Sequence, residues 1–430
     1  MPIDSIPSLI AALRESHSLR PAQLEETAAL QAKFQNPRLV AKELLQRGWL
    51  TAYQINQIFL GRGKDLAIGP YVLLERIGEG GMGQVFKAWH SHLDRTVALK
   101  LIRRDRLDSQ ETVRRFQREI EVAARLSHPN IVAAFDAGEY GGSRYIALEY
   151  VKGIDLAKLV KQRGPLPVAL ACDYVRQAAL GLQHAFERGL IHRDIKPSNL
   201  LVARPHGGDP NAQADVVKIL DMGLARAQGP TAGSDEVTQF QATLGTPDFI
   251  APEQARDARS ADIRADLYSL GCTFYYLLTA SVPYPNAAPM EKLLKHWMEE
   301  PTPVEDLRPE VGPEVADIVR KLMAKRPEDR YQAPVELVAA LARVAEFELP
   351  AEARGARPAR PKSDPLRPGR VPTPLQETIV PSSIEDTDEG PIIRVEHLAR
   401  SRKAQVVQLV IAGIAVAALT VLLVVLLRWG

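Results

Sequence analysis

This chain of 430 residues has few cysteines, lacks the features of a secretory signal and has a net charge close to zero. Its two cysteines, Cys172 and Cys272, lie far apart without Cys-x-x-Cys spacing, which argues against a disulfide framework or a cysteine metal site and is typical of reduced, buried thiols in a cytosolic domain. The formal net charge of +2 gives no indication of nucleic-acid binding. Asp4 and Arg14 interrupt the first residues, so the basic start and apolar run of a secretory signal are missing. The length allows two or three domains.

The sequence HRDIKPSN at residues 192–199 places three chemically useful side chains close together. The Asp194 carboxylate can accept a proton from a hydroxyl group, and the Lys196 ammonium group can neutralise a phosphate. Asn199 can hold a hard cation through its amide oxygen. Phosphoryl transfer needs a proton acceptor, a positive charge and a metal ligand, because it depends on placing charge around phosphate oxygens. His-Arg-Asp alone could equally be an ordinary loop tripeptide, so the rest of the chain has to decide.

A glycine-rich turn lies between two predicted strands further upstream. The strand at 71–77 is followed by GEGGMGQV at 78–85, a second strand at 85–89 and VALK at 97–100. A G-x-G-x-x-G pattern could also open a dinucleotide-binding fold, but that fold requires a helix next and an acidic residue about 20 positions on. Lys100 stands near that position instead. The glycines would let backbone N–H groups approach phosphate oxygens.

These motifs together resemble those of the eukaryotic-like, membrane-anchored serine/threonine protein kinases of bacteria. The resemblance covers residues 71–347. It implies an α+β bilobal fold, with a small β-rich N-lobe and a large α-helical C-lobe. It also implies transfer of the ATP γ-phosphate to protein Ser or Thr hydroxyls, with Mg²⁺, or Mn²⁺ in its place, as the metal. Lys196, two residues after Asp194, is the signature of the serine/threonine class.

The resemblance assigns a role to each motif residue. Asp194 and Lys196 are catalytic, and Asn199 and Asp221 hold the metal. Glu119 and Glu121 are both candidates to pair with Lys100; the resemblance selects Glu119, while Glu121 points about 200° around the helix. The residues implied to bind ATP are Ile77, Gly78, Glu79, Gly80, Gly81, Met82, Gly83, Gln84, Val85, Ala98, Lys100, Glu119, Glu149, Val151 and Leu201.

Two of these ATP-binding positions have backbone roles. Backbone groups of Glu149 and Val151 would contact the adenine edge, while the side chains of Val85, Ala98 and Leu201 would enclose the base. Asp155 is placed to reach the ribose, although an exposed loop aspartate explains it equally well.

The activation segment extends from Asp221 to Glu253 by the same resemblance. Asp221-Met222-Gly223 departs from the family pattern Asp-Phe-Gly, and a flexible Met can still fill the Phe position. By the resemblance, Thr238 lies in the best-matching position for autophosphorylation and Thr243 is second; Arg193, next to Asp194, can receive a phosphothreonine. Three further structural roles are implied: Thr246 contacts the catalytic residues, Asp266 holds the catalytic loop, and Arg330 pairs with Glu253.

The flanking regions differ in character from the kinase-like region. Residues 1–65 are predicted to form a small helical module, which either binds a partner or packs on the neighbouring lobe. Residues 349–400 are rich in Pro and Arg and predict a disordered linker. Residues 406–427 contain no charge and are long enough to cross a bilayer. Basic residues before this segment place the kinase in the cytoplasm, so we expect a single-pass membrane tether in contact with lipid.

Protein substrates are the expected partners, together with a second copy that is phosphorylated in trans, which a dimer would allow. A different class of function, a non-catalytic membrane scaffold with a kinase fold, would predict loss of a metal-binding or base residue. No such residue is lost from the motifs.

Overall fold

The structure is a computed structural model that describes residues 3–80, 83–102, 124–203, 215–222, 247–256 and 261–348. The predicted linker at 349–400 and the apolar segment at 406–427 lie outside the described residues. Across the ranges that are described, no helix combines the length and the hydropathy needed to cross a membrane.

The N-terminal region forms short helices, as its apolar spacing predicts. Ser5, Asn36 and Thr51 cap three of them by accepting backbone N–H groups of the first turn, which satisfies donors that a helix start otherwise leaves unpaired. The helices are α1 (Ile6–Glu15), α2 (Pro21–Ala29), α3 (Pro37–Gln46) and α4 (Ala52–Phe59).

An antiparallel sheet follows, with strand order β1-β2-β3-β4-β6-β5. Its strands are β1 (Ala67–Ile68), β2 (Tyr71–Gly80), β3 (Gly83–His90), β4 (Arg95–Ile102), β5 (Ala134–Tyr140) and β6 (Ser143–Glu149). Lys100 pairs with Val85 on one side and with Ile146 on the other, so these three side chains share one face. Leu99, one position earlier, points to the opposite face.

The face that carries Leu99 packs against the N-terminal helices. Leu99, Phe86 and Ala147 belong to the same buried cluster as Leu13 of α1 and Leu44 of α3. The N-terminal region therefore packs on the neighbouring lobe, which is one of the two interpretations that its sequence allowed. It covers the Leu99 face of the sheet and not the Lys100 face.

The second part of the chain is mainly helical. Its elements are β7 (Gly153–Asp155), α5 (Leu156–Arg163), α6 (Val168–Phe186), β8 (Leu200–Ala203), β9 (Val216–Ile219), α7 (Pro252–Arg256), α8 (Ile263–Thr279), α9 (Pro289–Met298), α10 (Val304–Leu307), α11 (Pro313–Leu322) and α12 (Pro334–Glu348). Helix α8 is buried along most of its length, as its apolar sequence predicts. A Cβ at Gly271 of α8 would lie 2.6 Å from Leu322 Cβ, so glycine permits the close approach of α11.

The two parts meet beside the small sheet β7-β8-β9. Val132 N donates to Ile219 O at 3.0 Å, and Ile219 N donates to Asn130 O at 2.9 Å. The Asn130 amide also donates to Val217 O at 2.8 Å. These bonds fix strand β9, and with it the segment that leads to Asp221, against the chain that enters β5.

Candidate active site

The glycine-rich turn connects β2 and β3 at one edge of the Lys100 face. Gly83 has φ +154°, and a Cβ there would lie 1.8 Å from Leu101 O, so only glycine fits against β4. Gly80 has no atom within 4 Å of an added Cβ. The predicted residues Ile77, Gly78, Glu79, Gly80, Gly83, Gln84 and Val85 are brought to this edge. Gly81 and Met82 lie outside the described residues.

Lys100 and Asp221 meet beneath this turn. Lys100 Nζ lies 2.8 Å from Asp221 Oδ1, and the lysine residue is only 4% exposed. Burial acts to raise the pKa of Asp221, but the charge and hydrogen bond of Lys100 outweigh it and hold that pKa below its usual range. Asp221 is therefore ionised at neutral pH. Glu119, the predicted partner of Lys100, lies outside the described residues.

Asp194 lies in a loop where two neighbours hold its carboxylate. Lys196 Nζ lies 2.9 Å from Oδ1 and 2.8 Å from Oδ2. Asn199 Nδ2 donates to Asp194 Oδ2 at 2.9 Å and to Asp194 O at 2.8 Å. These bonds use the amide nitrogen of Asn199, so its amide oxygen is the group that can ligate a cation. The carboxylate is thus fixed in direction by charge-assisted hydrogen bonds.

His192 connects the Asp194 loop to the Asp221 segment. Its Nδ1 accepts from Asp194 N at 3.2 Å, and its Nε2 lies 2.7 Å from the carbonyl oxygen of Leu220. A carbonyl can only accept, so this pattern requires a neutral imidazole that is protonated on Nε2. Leu220 N in turn donates to Asn199 O at 2.9 Å. The two candidate metal-binding residues, Asn199 and Asp221, are therefore held on adjoining segments.

Asp266 supports the same loop from helix α8. Its Oδ2 accepts from His192 N at 2.7 Å and its Oδ1 from Arg193 N at 2.6 Å. Burial raises the pKa of the Asp266 carboxyl, while the backbone donors His192 N and Arg193 N oppose that rise. The predicted contact between Asp266 and the backbone of this loop is present.

The chain between the two lobes contains Glu149 and Val151. Glu149 N donates to Ala133 O at 2.8 Å, so this predicted adenine-contacting N–H is already engaged within the protein. The Glu149 side chain pairs with Lys218 of β9 at 2.9 Å. Ala98, Val85 and Leu201 are half-buried around this region, which is the arrangement expected of residues that enclose a flat apolar group.

Glu253 and Arg330 form a bidentate ion pair, as the resemblance implied. Arg330 Nη1 lies 2.7 Å from Glu253 Oε1, and Nη2 lies 2.9 Å from Oε2. The arginine side chain is fully buried and the glutamate side chain is 18% exposed. Met222, where the family pattern has Phe, is buried in the core of the helical lobe. Thr238, Thr243 and Thr246 lie outside the described residues.

Residues 71–339 match the family described as "Protein kinase domain". The chain belongs to the protein kinase family. Serine/threonine-protein kinase PknB of Mycolicibacterium smegmatis is 38% identical over 284 residues, which is 65% of this chain and 44% of that protein. Serine/threonine-protein kinase pkn3 of Myxococcus xanthus is 38% identical over 271 residues, or 62% of this chain and 48% of that protein.

A solved structure supports the same fold for this chain. The crystal structure of the PknI kinase domain of Mycobacterium tuberculosis aligns with a TM-score of 0.50 and 28% identity, covering 64% of this chain and 97% of that chain. The predicted bilobal kinase fold, with a β-rich N-lobe and a helical C-lobe, is confirmed. This chain spans less than half the length of the curated relatives named above.

Sequence reasoning missed two features of the kinase site. The Glu149–Lys218 ion pair joins the interlobe chain to β9, and alternation in β9 offered only a weak signal that Lys218 would face Glu149. Gln254 Nε2 donates to Arg193 O at 2.6 Å, which ties the start of α7 to the loop of Asp194. Gln254 lies next to the predicted Glu253, but no motif indicated its contact.

Proposed function

We propose that the protein is an ATP-dependent kinase of Ser and Thr residues in other proteins. The observation that carries the proposal is the Asp194 carboxylate, fixed between Lys196 Nζ and Asn199 Nδ2 at 2.8 and 2.9 Å. A carboxylate held in one direction can orient a hydroxyl group and accept its proton. The Lys196 ammonium group, which lies beside this carboxylate, can balance negative charge that develops on the transferred phosphoryl group.

The remaining polar groups fit a metal-nucleotide complex. Asn199 supplies an amide oxygen and Asp221 an ionised carboxylate, and such hard oxygen donors suit Mg²⁺. When bound, the metal would neutralise phosphate charge. Lys100 lies 2.8 Å from Asp221, so its ammonium group can reach phosphate oxygens beside the same metal. The glycine turn offers backbone N–H groups above these residues, and the carbonyl of Glu149 can accept from an adenine amino group.

The proposal is tested with radiolabelled ATP, Mg²⁺ and a generic basic protein substrate. Asp194→Asn keeps the size of the side chain but removes the base, so we expect phosphate incorporation to fall about 10²–10⁴-fold. Asp317→Asn, at an exposed aspartate of α11, is the matched control and should retain wild-type incorporation. Equal incorporation by wild type and Asp194→Asn would contradict the proposal.

Regulation by autophosphorylation in trans is part of the proposal. Thr238 is the preferred site and Thr243 the second, on the basis of their positions before Ala251-Pro252-Glu253 and of Arg193 as a receiver of phosphate. Mass spectrometry of active enzyme should find phosphate on Thr238. An unmodified segment in fully active enzyme would count against this step.

We also propose that residues 406–427 anchor the kinase in a membrane, with the kinase domain in the cytoplasm. The absence of charge in this segment and the basic residues Arg400, Arg402 and Lys403 before it support the proposal. Wild-type protein should stay with membranes after alkaline carbonate extraction. Ile414→Lys combined with Ala418→Lys should release it, because two central charges make insertion unfavourable. Gln405→Lys, outside the segment, is the control, and retention of the double variant would refute the anchor.

A further inference from the structure

We propose that Gln54 of helix α4 is a positioning residue for ATP, because it holds the strand that leads into the glycine-rich turn. The inference rests on the proposed kinase function and makes the N-terminal helices part of the nucleotide-binding lobe. Gln54 precedes the family match, which begins at residue 71, so this support comes from outside the kinase domain.

The start of α4 has two groups that point beyond the helix. Thr51 and Gln54 form a capping box: Thr51 N donates to Gln54 Oε1 at 2.9 Å, and Gln54 N donates to Thr51 Oγ1 at 3.2 Å. The cap uses only the acceptors of the two side chains. Their donors reach β2, where Gln54 Nε2 donates to Leu73 O at 2.9 Å and Thr51 Oγ1 donates to Leu74 O.

These two carbonyls lie where the pairing of β2 is irregular. Leu73 pairs with Ala88 and Glu75 with Lys87, so Leu74 is an extra residue that forms a bulge against β3. On the other side, β1 pairs only with Tyr71 and Val72. Beyond Val72, β2 is an edge strand in the part of the chain that the structure describes, and α4 supplies donors that a neighbouring strand would otherwise supply.

The bulge is connected directly to the phosphate-binding turn. Only two residues separate Leu74 from Ile77, the first residue of the predicted ATP site. Arg76, between them, pairs with Glu79 of the turn at 2.8 Å. Tyr53 of α4 packs on Phe86 of β3, with ring centroids 6.0 Å apart. Helix α4 therefore contacts both strands that carry the turn.

Burial makes the Gln54 contact strongly constrained. Gln54 is 1% exposed, so its amide would lose a hydrogen bond without gaining water if β2 moved away. A shift of the bulge would be transmitted to the turn, whose N–H groups must match phosphate oxygens. We therefore expect the contact to affect ATP affinity more than the chemical step.

The test compares two methionine variants of the full-length protein. Gln54→Met keeps the length of the side chain but removes the donor to Leu73 and the cap acceptor. Gln23→Met is the matched control, because Gln23 accepts from the N-cap residue of α2, Arg20, also at 2.9 Å, and within the described ranges its side chain makes no hydrogen bond to the sheet. The measurements are kcat, the KM for ATP, the Kd for Mg²⁺-ATP by calorimetry, and Tm.

We expect Gln54→Met to raise the KM and Kd for ATP about threefold to tenfold, the size of one lost buried hydrogen bond, with kcat within about twofold of wild type. Gln23→Met should leave the KM and Kd unchanged. A purely structural role for Gln54 would lower Tm and the active fraction without changing the KM. Equal KM and Kd values in the two variants would overturn the proposal.

Thr51→Val and Thr51→Ser provide a second pair of variants if Gln54→Met does not fold. Valine removes the donor to Leu74 and should raise the KM for ATP. Serine keeps the hydroxyl group, so Thr51→Ser should have the wild-type KM. An unchanged KM in Thr51→Val, with Gln54→Met unfolded, would also overturn the proposal. Absence of phosphotransfer by wild type would refute the kinase function, and the calorimetric Kd values would still test the positioning role.

Discussion

Replacing Glu253 with Gln should destabilise the helical lobe far more than the same change at Glu328. Both glutamates pair with an arginine of the segment 326–330, but only one pair is buried. The Arg330 side chain is fully buried and that of Glu253 is 18% exposed, whereas Arg326 and Glu328 are 71% and 53% exposed. The comparison therefore keeps the chemistry of the substitution constant and varies burial.

The magnitude follows from what Arg330 loses. Its guanidinium group donates to both Glu253 oxygens at 2.7 and 2.9 Å, and also to the carbonyls of Ala324, Arg264 and Lys325. The substituted glutamine would keep one acceptor but leave the buried charge without a counter-charge. Breaking a buried pair in this way costs about 3–5 kcal/mol. The exposed Arg326–Glu328 pair should contribute far less, because solvent screens its charges.

Urea unfolding of the two variants measures the difference directly. A double-mutant cycle with Arg330→Met then isolates the interaction, and we expect a coupling of about 2–3 kcal/mol, because removing both charges relieves the penalty of either one alone. If Glu253→Gln costs no more than Glu328→Gln, the argument from burial is wrong.

Three further predictions concern the site and its surroundings. Asp266→Asn removes one of two acceptors for the backbone of His192 and Arg193, so kcat should fall about tenfold in steady-state assays while Tm changes by only a few degrees. Gly83→Ala should abolish activity, or prevent folding as seen by circular dichroism, because its Cβ would overlap a carbonyl of β4. Burial lowers the pKa of His296 to about 3, so below pH 6.5 only the unfolded state gains this proton. His296→Gln should therefore make unfolding free energy fall less steeply between pH 6.5 and 4, by about 1.4 kcal/mol per pH unit in chemical denaturation.

The order of motifs was enough to predict the bilobal fold and the residues around Asp194. The HRDIKPSN stretch is short, so chain connectivity alone keeps Asp194, Lys196 and Asn199 within hydrogen-bonding reach, and the structure shows both contacts. The Arg330–Glu253 pair and the contact between Asp266 and the Asp194 loop join residues far apart in the sequence. Only the resemblance predicted them. Nothing in local spacing indicates such pairs.

Contacts that depend on tertiary packing were harder to predict. The sequence left two interpretations open for residues 1–65, because amphipathic helices that bind a partner and helices that cover a sheet share the same pattern. The covered face became visible only through strand register, which directs Phe86 and Leu99 away from Lys100. From the sequence, Asp155 could contact the ribose or be an ordinary loop residue. In the structure its Oδ1 accepts from Lys158 N at 2.8 Å and caps α5.

Two residues of the site have strained backbone conformations, and hydrogen bonds from buried side chains hold the segments that carry them. Arg193 and Asp221 both have positive φ angles, +66° and +56°, which are unfavourable for residues other than glycine and cost about 1 kcal/mol or more each. The Asp266 carboxylate, fully buried in α8, holds the N–H of Arg193, and the His192 imidazole holds the carbonyl that precedes Asp221. The Asp266 bond ties Arg193, one of the two strained residues, to the core helix α8, and the His192 bond ties the segment that leads to Asp221 to the same loop. The positions of Asp194 and Asp221 therefore depend on a loop that is anchored in the core of the helical lobe.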